Sequence, residues 1–494
     1  MDEDSIDKFT SPSVYDNDGN EKTPLYAKND NEKATLKLII SFCMVFCIGI
    51  LIMLLIHVHY GSPQLVPHGN VASDNAQCSQ YGIDILKMGG NAVDAAITTA
   101  FCNSVAFLHL SGLGGNGVMT IYDHRTGVGN IIDFRATYSS HFSIGIPGFV
   151  AGLFYSHEKY GLLPWKTLVE PSITLAKTGI TVTKSLTEAI NQNSIKSVRD
   201  ENLRNWLDLV STTIPGYKVV APDGLINSLS LISSYGSIEF YKKMSEELIH
   251  VLKPNDVTSY KPLILPVLKQ HFMNYTVITS NEGTGGPILM DILKQINNTS
   301  DDISLVNCFK DLNDDWYENS GLQISTTDVF DRYVTVISSL GSVFGSHILT
   351  NSGYILNNVL DLCHNHDESN QNNRVSSLYL PLIVVESEKI CGRRLISGSA
   401  DVRDGAQILM SMLTTDPQDI LSINTIPRFR IKLNDIAIEY PQNFSKKTKE
   451  LFERSGYNIS IATLPYPTSN VVQKVEDKSV AFSDSRGSGQ SITI

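Results

Sequence analysis

One apolar stretch near the N-terminus determines which class of protein this chain can belong to, because it is long enough to span a membrane. Leu38–Val58 contains 21 residues without Asp, Glu, Lys or Arg, and a helix of that length crosses a hydrocarbon layer about 30 Å thick. Lys28, Lys33 and Lys37 precede the stretch, whereas no Lys or Arg follows it until Lys87. Because positive residues stay on the cytosolic side of a span, the sequence predicts a single-pass type II membrane protein.

The span divides the chain into four predicted segments. These are a cytoplasmic tail (1–37), a transmembrane helix (38–58), a linker (59–68) and an extracellular domain (69–494). A cleaved signal peptide is the alternative, but the long tail and the long apolar run do not fit one. We therefore expect the protein at the plasma membrane, held there by its single span.

The composition indicates a folded extracellular domain with a large core. Of the 494 residues, 42% are hydrophobic and 18% are charged, and the formal net charge is −12. This acidic balance, without a basic cluster on any predicted helix, disfavours nucleic acid as a partner. A small molecule or another surface protein is the expected partner.

Asn-Xaa-Ser/Thr sequons agree with an extracellular location, because the predicted cytoplasmic tail has none. They begin at Asn274, Asn297, Asn298, Asn443 and Asn458. We expect glycans on these asparagines.

Apolar periodicity predicts a mixed α+β domain. Apolar residues recur every three to four positions, as in helices, in Gln77–Lys87, Ala92–Val105, Val150–Tyr160 and Trp165–Lys177. β-Branched runs, which are typical of strands, occur in Val118–Tyr122, Asn130–Phe134, Tyr333–Ser339, Leu380–Glu386 and Val480–Ser483. Such a mixture suits two stacked sheets between helical layers.

An ordered series of short motifs gives the predicted extracellular domain a family resemblance. The stronger motifs are Val71–Cys78, Gly82–Ala96, His109–Asp123, Ile132–Arg135, Ile146–Gly148, Gly161–Trp165 and Glu170–Ala176. Weaker ones follow at Phe344–Ser346, Ser352–Gly353, Asn357–Asn358, Pro427–Arg428 and Ser483–Arg486. With these motifs the chain resembles the γ-glutamyltransferases, the glutathione hydrolases. The resemblance implies the four-layer αββα sandwich of N-terminal-nucleophile hydrolases, with residues 69–320 large-subunit-like and 321–494 small-subunit-like.

The resemblance also implies a disulfide between Cys78 and Cys102, which animal members of the family carry at these positions. An oxidising extracellular compartment favours that bond. Cys308, Cys363 and Cys391 remain as an odd number, and no Cys-Xaa-Xaa-Cys spacing indicates zinc.

The position of the catalytic residue departs from the resembled family. There, a precursor cuts its own backbone before a threonine, whose hydroxyl becomes the nucleophile and whose α-amino group becomes the base. Counting back without gaps from Phe344 places this threonine at Gly321. Glycine has no hydroxyl, so neither autocleavage nor acyl-enzyme formation can start there. A shift by one residue would put Ser320 at this position, and that alternative keeps an active enzyme.

Further catalytic positions of the family have also changed. The threonine that assists the nucleophile corresponds to Ser339, and the substrate-contacting asparagine to Gly341. Two acidic residues correspond to Val359 and Leu362, and the glycine pair of the oxyanion hole reads Ala400-Asp401. A carboxylate at Asp401 would oppose a negative intermediate.

Three substrate-binding positions are retained. Arg135 stands where the family grips the α-carboxylate of the γ-glutamyl group with a bidentate donor, although pairing with Asp133 or Asp123 is an equal alternative. The paired serines that bind the same carboxylate appear as Ser376 and Ser377. A γ-glutamyl compound such as glutathione is therefore a candidate ligand.

Two hypotheses from different classes follow. One is a membrane-anchored pseudoenzyme of the family, a glycosylated surface scaffold linked to glutathione metabolism only by descent. The other is an active γ-glutamyl hydrolase or transferase that uses Ser320. No cofactor or metal is expected, and His364, His366 and Asp367 are interpreted as part of an exposed polar loop.

Overall fold

The computed structural model describes residues 30–60, 69–192, 198–296, 302–310, 312, 320–362, 373–387, 389, 391–432, 435–440, 442–464, 466–487 and 489–494. The chain divides into an N-terminal unit that ends at Leu65 and a compact unit from Val66 to Ile494.

The N-terminal unit contains one long helix, α1 (Asp30–Tyr60). Its apolar part, Ala34–Ile56, is long and apolar enough to cross a membrane. Its large apolar side chains are exposed in this unit, which agrees with a helix that lies in lipid. The helix contains residues 38–58, where the sequence predicts a membrane span.

The compact unit alternates helices and strands along its length. Its helices are α2 (Ala76–Lys87), α3 (Ala92–Ala106), α4 (Phe149–Tyr160), α5 (Trp165–Thr178), α6 (Lys184–Gln192), α7 (Glu201–Ser211), α8 (Asp223–Glu247), α9 (Pro254–Thr258), α10 (Gly285–Ile296), α11 (Asp302–Lys310), α12 (Val402–Thr414), α13 (Ile420–Thr425) and α14 (Lys446–Arg454). Its strands are β1 (Asn70–Ser73), β2 (Asn116–Asp123), β3 (Val128–Phe134), β4 (Ile180–Thr181), β5 (Lys218–Val219), β6 (Leu263–Pro266), β7 (Leu268–Phe272), β8 (Tyr275–Thr279), β9 (Ser320–Thr327), β10 (Arg332–Gly341), β11 (Leu380–Glu386), β12 (Arg394–Ser399), β13 (Phe429–Lys432), β14 (Asp435–Ile438), β15 (Asn458–Ile461), β16 (Val471–Val475), β17 (Lys478–Phe482) and β18 (Gln490–Thr493).

Two large sheets form the centre of the compact unit. The first sheet has the strand order β18-β1-β9-β10-β2-β3-β6, and the second has the order β17-β16-β12-β11-β8-β7. Neighbouring strands in both sheets for which a register is defined run antiparallel. β9 and β10 contact β11 and β12 across the interface between the sheets.

Helices cover the outer face of each sheet. α3 and α4 pack on the first sheet, and α10 and α12 pack on the second. Separate apolar clusters fill the two helix–sheet interfaces, and smaller clusters, which include Ile337 and Ile396, fill the space between the sheets. The predicted αββα sandwich is confirmed.

Local signals explain why the first helices begin where they do. Asn75 caps α2, and Asn91 forms a capping box with Asp94 at the start of α3, which satisfies backbone N–H groups that would otherwise have no partner. The predicted helices start and end within one residue of the observed ones. Among the predicted strands, only the end at Ser483 lies outside its observed strand, which stops at Phe482.

Candidate functional site

Gly321 lies at the beginning of β9, next to β10 and β12, and it has no room for a side chain. A Cβ atom at this position would lie 2.8 Å from the Ser338 carbonyl oxygen, 3.0 Å from Ala400 Cβ and 3.1 Å from Ser339 Cβ. The first of these neighbours is backbone and cannot rotate away. The packing around this position therefore accepts glycine but no larger residue without a shift of the neighbouring backbone.

Ser320, the alternative nucleophile, is bound to the backbone of the neighbouring strand. Its hydroxyl donates to the Gly341 carbonyl oxygen over 3.2 Å, and its own carbonyl oxygen accepts from the Ser339 hydroxyl. Ser339 Oγ also accepts from the Gly341 N–H at 2.8 Å. Ser320, Ser339 and Gly341 thus form a closed local network. Among the described residues, no histidine or carboxylate joins it as a base.

Asp401 has a structural partner that the sequence did not indicate. It is the N-cap of α12, and its carboxylate accepts from the Arg403 N–H and forms an ion pair with the Arg403 guanidinium at 2.6 Å. The Asp401 N–H donates to Ser399 Oγ at 3.2 Å. The expectation that this carboxylate opposes a negative intermediate is corrected in one respect: Arg403 neutralises its charge. The Asp401 N–H, which corresponds to a predicted oxyanion-hole donor, is already hydrogen-bonded to Ser399 Oγ.

Arg135 uses all of its donor groups within the protein. Nε and one terminal nitrogen hold Asp133 in a bidentate pair at 3.0 and 2.8 Å, and the remaining donors reach the carbonyl oxygens of Gly283, Val375 and Glu282. Burial alone would raise the pKa of Asp133, but Arg135 holds it below its usual value. Of the two roles considered for Arg135, the geometry shows the pair with Asp133.

Ser376 and Ser377 line a cavity of about 10 Å³, roughly the space of one water molecule. Val359 and Leu362, at the two family acid positions, contribute apolar side chains to its wall. The Ser377 N–H donates to the Gly283 carbonyl oxygen at 2.9 Å. We call this space the closed cavity.

A much larger cavity, of about 460 Å³, lies beside Ser320 and Gly321. We call it the open cavity. Its volume is within the range of small-molecule sites. Phe107, Leu110, Leu464 and Tyr466 form apolar parts of its wall, and its charged lining groups are Asp74, Asp404 and Arg430.

The carboxylates of the open cavity are buried and only partly satisfied. Asp74 Oδ1 accepts from Asn470 at 3.0 Å, and Asp404 Oδ2 accepts from Arg430 at 2.9 Å. Their other oxygens, Asp74 Oδ2 and Asp404 Oδ1, accept no hydrogen bond from the described residues. Burial raises the pKa of Asp74 to about 6, and the nearby Asp484 adds to the effect, while Thr468 and Asn470 offset part of it.

Sequence reasoning did not identify Asp74, Asp404 or Arg430. They come from β1–α2, α12 and β13, which are far apart in the chain, and no spacing connects them. A single aspartate after a strand does not by itself indicate a binding site.

Other predicted features lie away from this region. The disulfide between Cys78 and Cys102, which joins α2 to α3, is confirmed. Cys308 is buried and Cys391 is exposed.

The sequon asparagines Asn274, Asn443 and Asn458 are exposed, as glycosylation requires. Asn297, Asn298, Cys363, His364, His366 and Asp367 lie outside the described residues.

Comparison with known proteins gives one family. The family model "Gamma-glutamyltranspeptidase" matches residues 78–314 and 311–494. Glutathione hydrolase 7 of Bos taurus is 25% identical over an alignment of 522 positions, which covers 86% of this chain and 78% of that protein. Glutathione hydrolase of Aspergillus flavus is 31% identical over 263 residues, covering 48% of this chain and 44% of that protein.

Solved structures give the same fold. The cephalosporin acylase from Bacillus halodurans superposes with a TM-score of 0.73 over 86% of this chain and 96% of that chain, at 17% identity. At that identity the match concerns the αββα architecture and not the chemistry.

Proposed function

Because this chain belongs to the gamma-glutamyltranspeptidase family, we propose that it is a membrane-anchored family member that remains a single chain and does not turn over γ-glutamyl substrates. Its relatives are named glutathione hydrolases, and its own link to glutathione is one of descent. The observation that carries the proposal is Gly321, which has neither a nucleophilic group nor the space for one. The extracellular domain then acts as a binding scaffold for a small molecule or another surface protein.

The energetic loss at the nucleophile position is large. Removing the hydroxyl nucleophile of a hydrolase costs on the order of 10⁶ in turnover, which corresponds to about 8 kcal/mol of barrier. What activity remains in such variants usually depends on the oxyanion hole. Here the Asp401 N–H is bound to Ser399 Oγ, which supports the loss of that contribution as well.

The γ-glutamyl side of the site also supports inactivity. Arg135 has no donor left for a substrate carboxylate, and the space beside Ser376 and Ser377 is about 10 Å³. A glutamyl group does not fit that space without a rearrangement of Val359 and Leu362. The proposal therefore does not include tight binding of glutathione in the closed cavity.

The competing function, an active enzyme with Ser320 as nucleophile, needs a free hydroxyl and a base. The Ser320 hydroxyl is engaged with the Gly341 carbonyl oxygen, and autocleavage before Ser320 would have to release it. The two functions can be distinguished by the number of polypeptide chains, because autocleavage would divide the active enzyme into two chains.

The test is to produce the full chain in a secretory host, remove its glycans and separate it on a denaturing gel. The Aspergillus flavus relative, made in the same host, serves as a reference for processing and for hydrolysis of a γ-glutamyl chromogenic substrate. We expect one uncut chain and no hydrolysis above a mock preparation. Two fragments with Ser320 at the new N-terminus, together with hydrolysis, would contradict the proposal.

We further propose that the protein is a type II protein of the plasma membrane. The apolar Ala34–Ile56 segment and the exposed sequon asparagines support this placement. Antibody labelling of intact cells should reach a tag at the C-terminus but not one at the N-terminus. The reverse labelling pattern would overturn the orientation.

A further inference from the structure

A third cavity, of about 330 Å³, lies at the start of α14 and has a sequon asparagine in its wall. We call it the Asn443 cavity, because all three residues of the sequon Asn443-Phe444-Ser445 line it. The Asn443 N–H donates to the Tyr440 carbonyl oxygen at 2.8 Å, which holds its backbone in a turn. Asn443, Ser445 and Thr414 are exposed members of the lining. The cavity therefore opens to solvent on the side of the sequon.

Apolar side chains form the inner wall of the Asn443 cavity. Leu305, Met410, Phe429 and Phe444 line it, and each is at most 7% exposed. The Phe429 and Phe444 rings pack edge to face with their centroids 6.5 Å apart. Apolar walls with a few placed polar groups are typical of small-molecule sites. A ligand that enters from the solvent side would meet such a wall.

The charged groups of the lining favour a neutral ligand. Arg428 is the only cation among the described residues of the lining, and it is paired with Glu439 and Asp484 at 3.4 and 3.3 Å. Asp302 is half-buried and accepts from the Thr448 hydroxyl at 3.3 Å. An anionic ligand would face the Asp302 carboxylate. A neutral ligand with hydroxyl and amide N–H groups can donate to it.

We infer that the Asn443 cavity receives the innermost N-acetylglucosamine of a glycan attached to Asn443. An N-glycan is joined to the asparagine side chain, so this sugar lies next to a cavity that its own asparagine lines. The sugar is neutral, and its hydroxyl and acetamide groups suit the lining. Because a short tether gives an effective concentration of about 1 mM or more, even a weak site is filled. The inference rests on the proposed function in one respect, the placement of this unit outside the membrane.

The first test compares glycan release at two sequons of the folded, unmodified chain. The full chain is made in a secretory host, purified in detergent and treated with peptide N-glycosidase, which must reach the bond between asparagine and sugar. Mass spectrometry of the peptides follows each site. Asn274 is the matched control, because it is exposed, precedes an aromatic residue as Asn443 does, and is not among the residues that line the cavity.

A bond that the fold protects is cleaved only through a transiently opened state. We therefore expect release at Asn443 to be at least about 10-fold slower than at Asn274 in the folded chain, and this difference should disappear after denaturation in urea. Equal rates in the folded chain would overturn the inference.

The second test asks whether the innermost sugar alone stabilises the fold. The chain is made with high-mannose glycans only and is trimmed by an endoglycosidase that leaves one N-acetylglucosamine on each asparagine. Trimming should not change the midpoint of thermal unfolding, because the sugar in the cavity remains. Asn443→Gln, which cannot carry a glycan, should unfold at a midpoint lower by about 2 °C or more, whereas the control Asn274→Gln should not change it.

Equal midpoints for the two variants would contradict the inference, and so would a fall on trimming as large as that in Asn443→Gln. If Asn443→Gln does not fold, the release rates on the unmodified chain still decide.

These outcomes separate the inference from the proposed function. A chain without a glycan at either Asn443 or Asn274 would refute the placement outside the membrane and the inference with it. A glycan at Asn274 alone, or equal release at both sites, would refute the inference while the placement held. The number of chains on the denaturing gel does not depend on either result.

Discussion

The two cavities near the predicted nucleophile position differ in volume and in chemistry. The closed cavity, next to Ser376 and Ser377, measures about 10 Å³, and apolar Val359 and Leu362 line it. The open cavity, next to Ser320 and Gly321, measures about 460 Å³ and has Asp74 in its wall. The cavity next to the predicted γ-glutamyl-binding serines is small, whereas the other cavity is large and has charged residues in its lining.

The two sides of the predicted site therefore differ in how much space they leave for a ligand. Arg135 still lies beside the closed cavity, but its donors stabilise Asp133 and three carbonyl oxygens. The αββα layers are held by large apolar clusters in the two helix–sheet interfaces, and most members of these clusters line neither cavity. Stability and ligand binding can therefore be tested separately on the two sides.

The largest effect is expected on the closed side, from Arg135→Met. The change leaves the Asp133 carboxylate, which is 1% exposed, without its cation, and breaking a buried ion pair typically costs about 3–5 kcal/mol. Urea denaturation of the full chain in detergent measures the loss in the free energy of unfolding.

Arg199→Met, which removes an exposed arginine, is the control and should change the free energy of unfolding by less than about 0.5 kcal/mol. If Arg135→Met were as stable as the control but bound a γ-glutamyl ligand less well, Arg135 would be a ligand-binding residue. The contrast between the two cavities would then fail.

In the lining of the open cavity, Gly321→Ala is expected to cost about 1–3 kcal/mol of unfolding free energy, as overpacking in a rigid site does. The added Cβ would lie 2.8 Å from a backbone oxygen. Gly112→Ala is the matched control, because the nearest atom to its added Cβ is 3.7 Å away.

Because the backbone around Gly321 leaves no space for a side chain, Gly321→Thr should not restore cleavage. Two fragments from Gly321→Thr would show that only the hydroxyl had been lost.

On the open side, Asp74→Asn should change how stability depends on pH. The folded pKa of about 6 lies above the ordinary 3.8, so the folded state binds a proton more readily, and the unmodified chain gains stability as pH falls from about 7 towards 4. Asparagine does not titrate. Relative to Asp74→Asn, the unmodified chain should therefore gain about 2 kcal/mol between pH 7.5 and pH 4.5.

Urea denaturation of both chains at the two pH values measures this difference. Asp208→Asn, which removes an exposed carboxylate on α7, is the control and should show no such change. A constant difference between Asp74→Asn and the unmodified chain would mean that Asp74 has the same pKa in the folded and unfolded states, and the contrast in burial that the open cavity is said to impose on this carboxylate would fail.

The fold could be predicted from sequence because its signals are local. The helices around Cys78 and Cys102 show apolar periodicity, and the strand at Leu380–Glu386 is a run of apolar and β-branched residues with the predicted bounds. The order of the layers required the family resemblance, since periodicity does not say which sheet covers which. The confirmed disulfide depended on the resemblance as well.

The site could be predicted only in part. Position-by-position comparison assigns the nucleophile position to Gly321, and this assignment stays a prediction. It could not show that Arg403 neutralises Asp401, that Arg135 is saturated, or that Asp74 and Asp404 line one cavity. These facts depend on side-chain directions and on contacts between distant segments, and neither is encoded in local spacing.

The smallest effect is expected from Ser320→Ala, which separates the two proposed functions most directly. The change removes one hydrogen bond of 3.2 Å from a half-buried hydroxyl, so the free energy of unfolding should fall by about 1 kcal/mol or less. The chain should remain uncut, as the unmodified chain does. If the unmodified chain were cut and Ser320→Ala were not, Ser320 would be the nucleophile. Gly321 would then mark a shift in register by one residue and not the loss of catalysis.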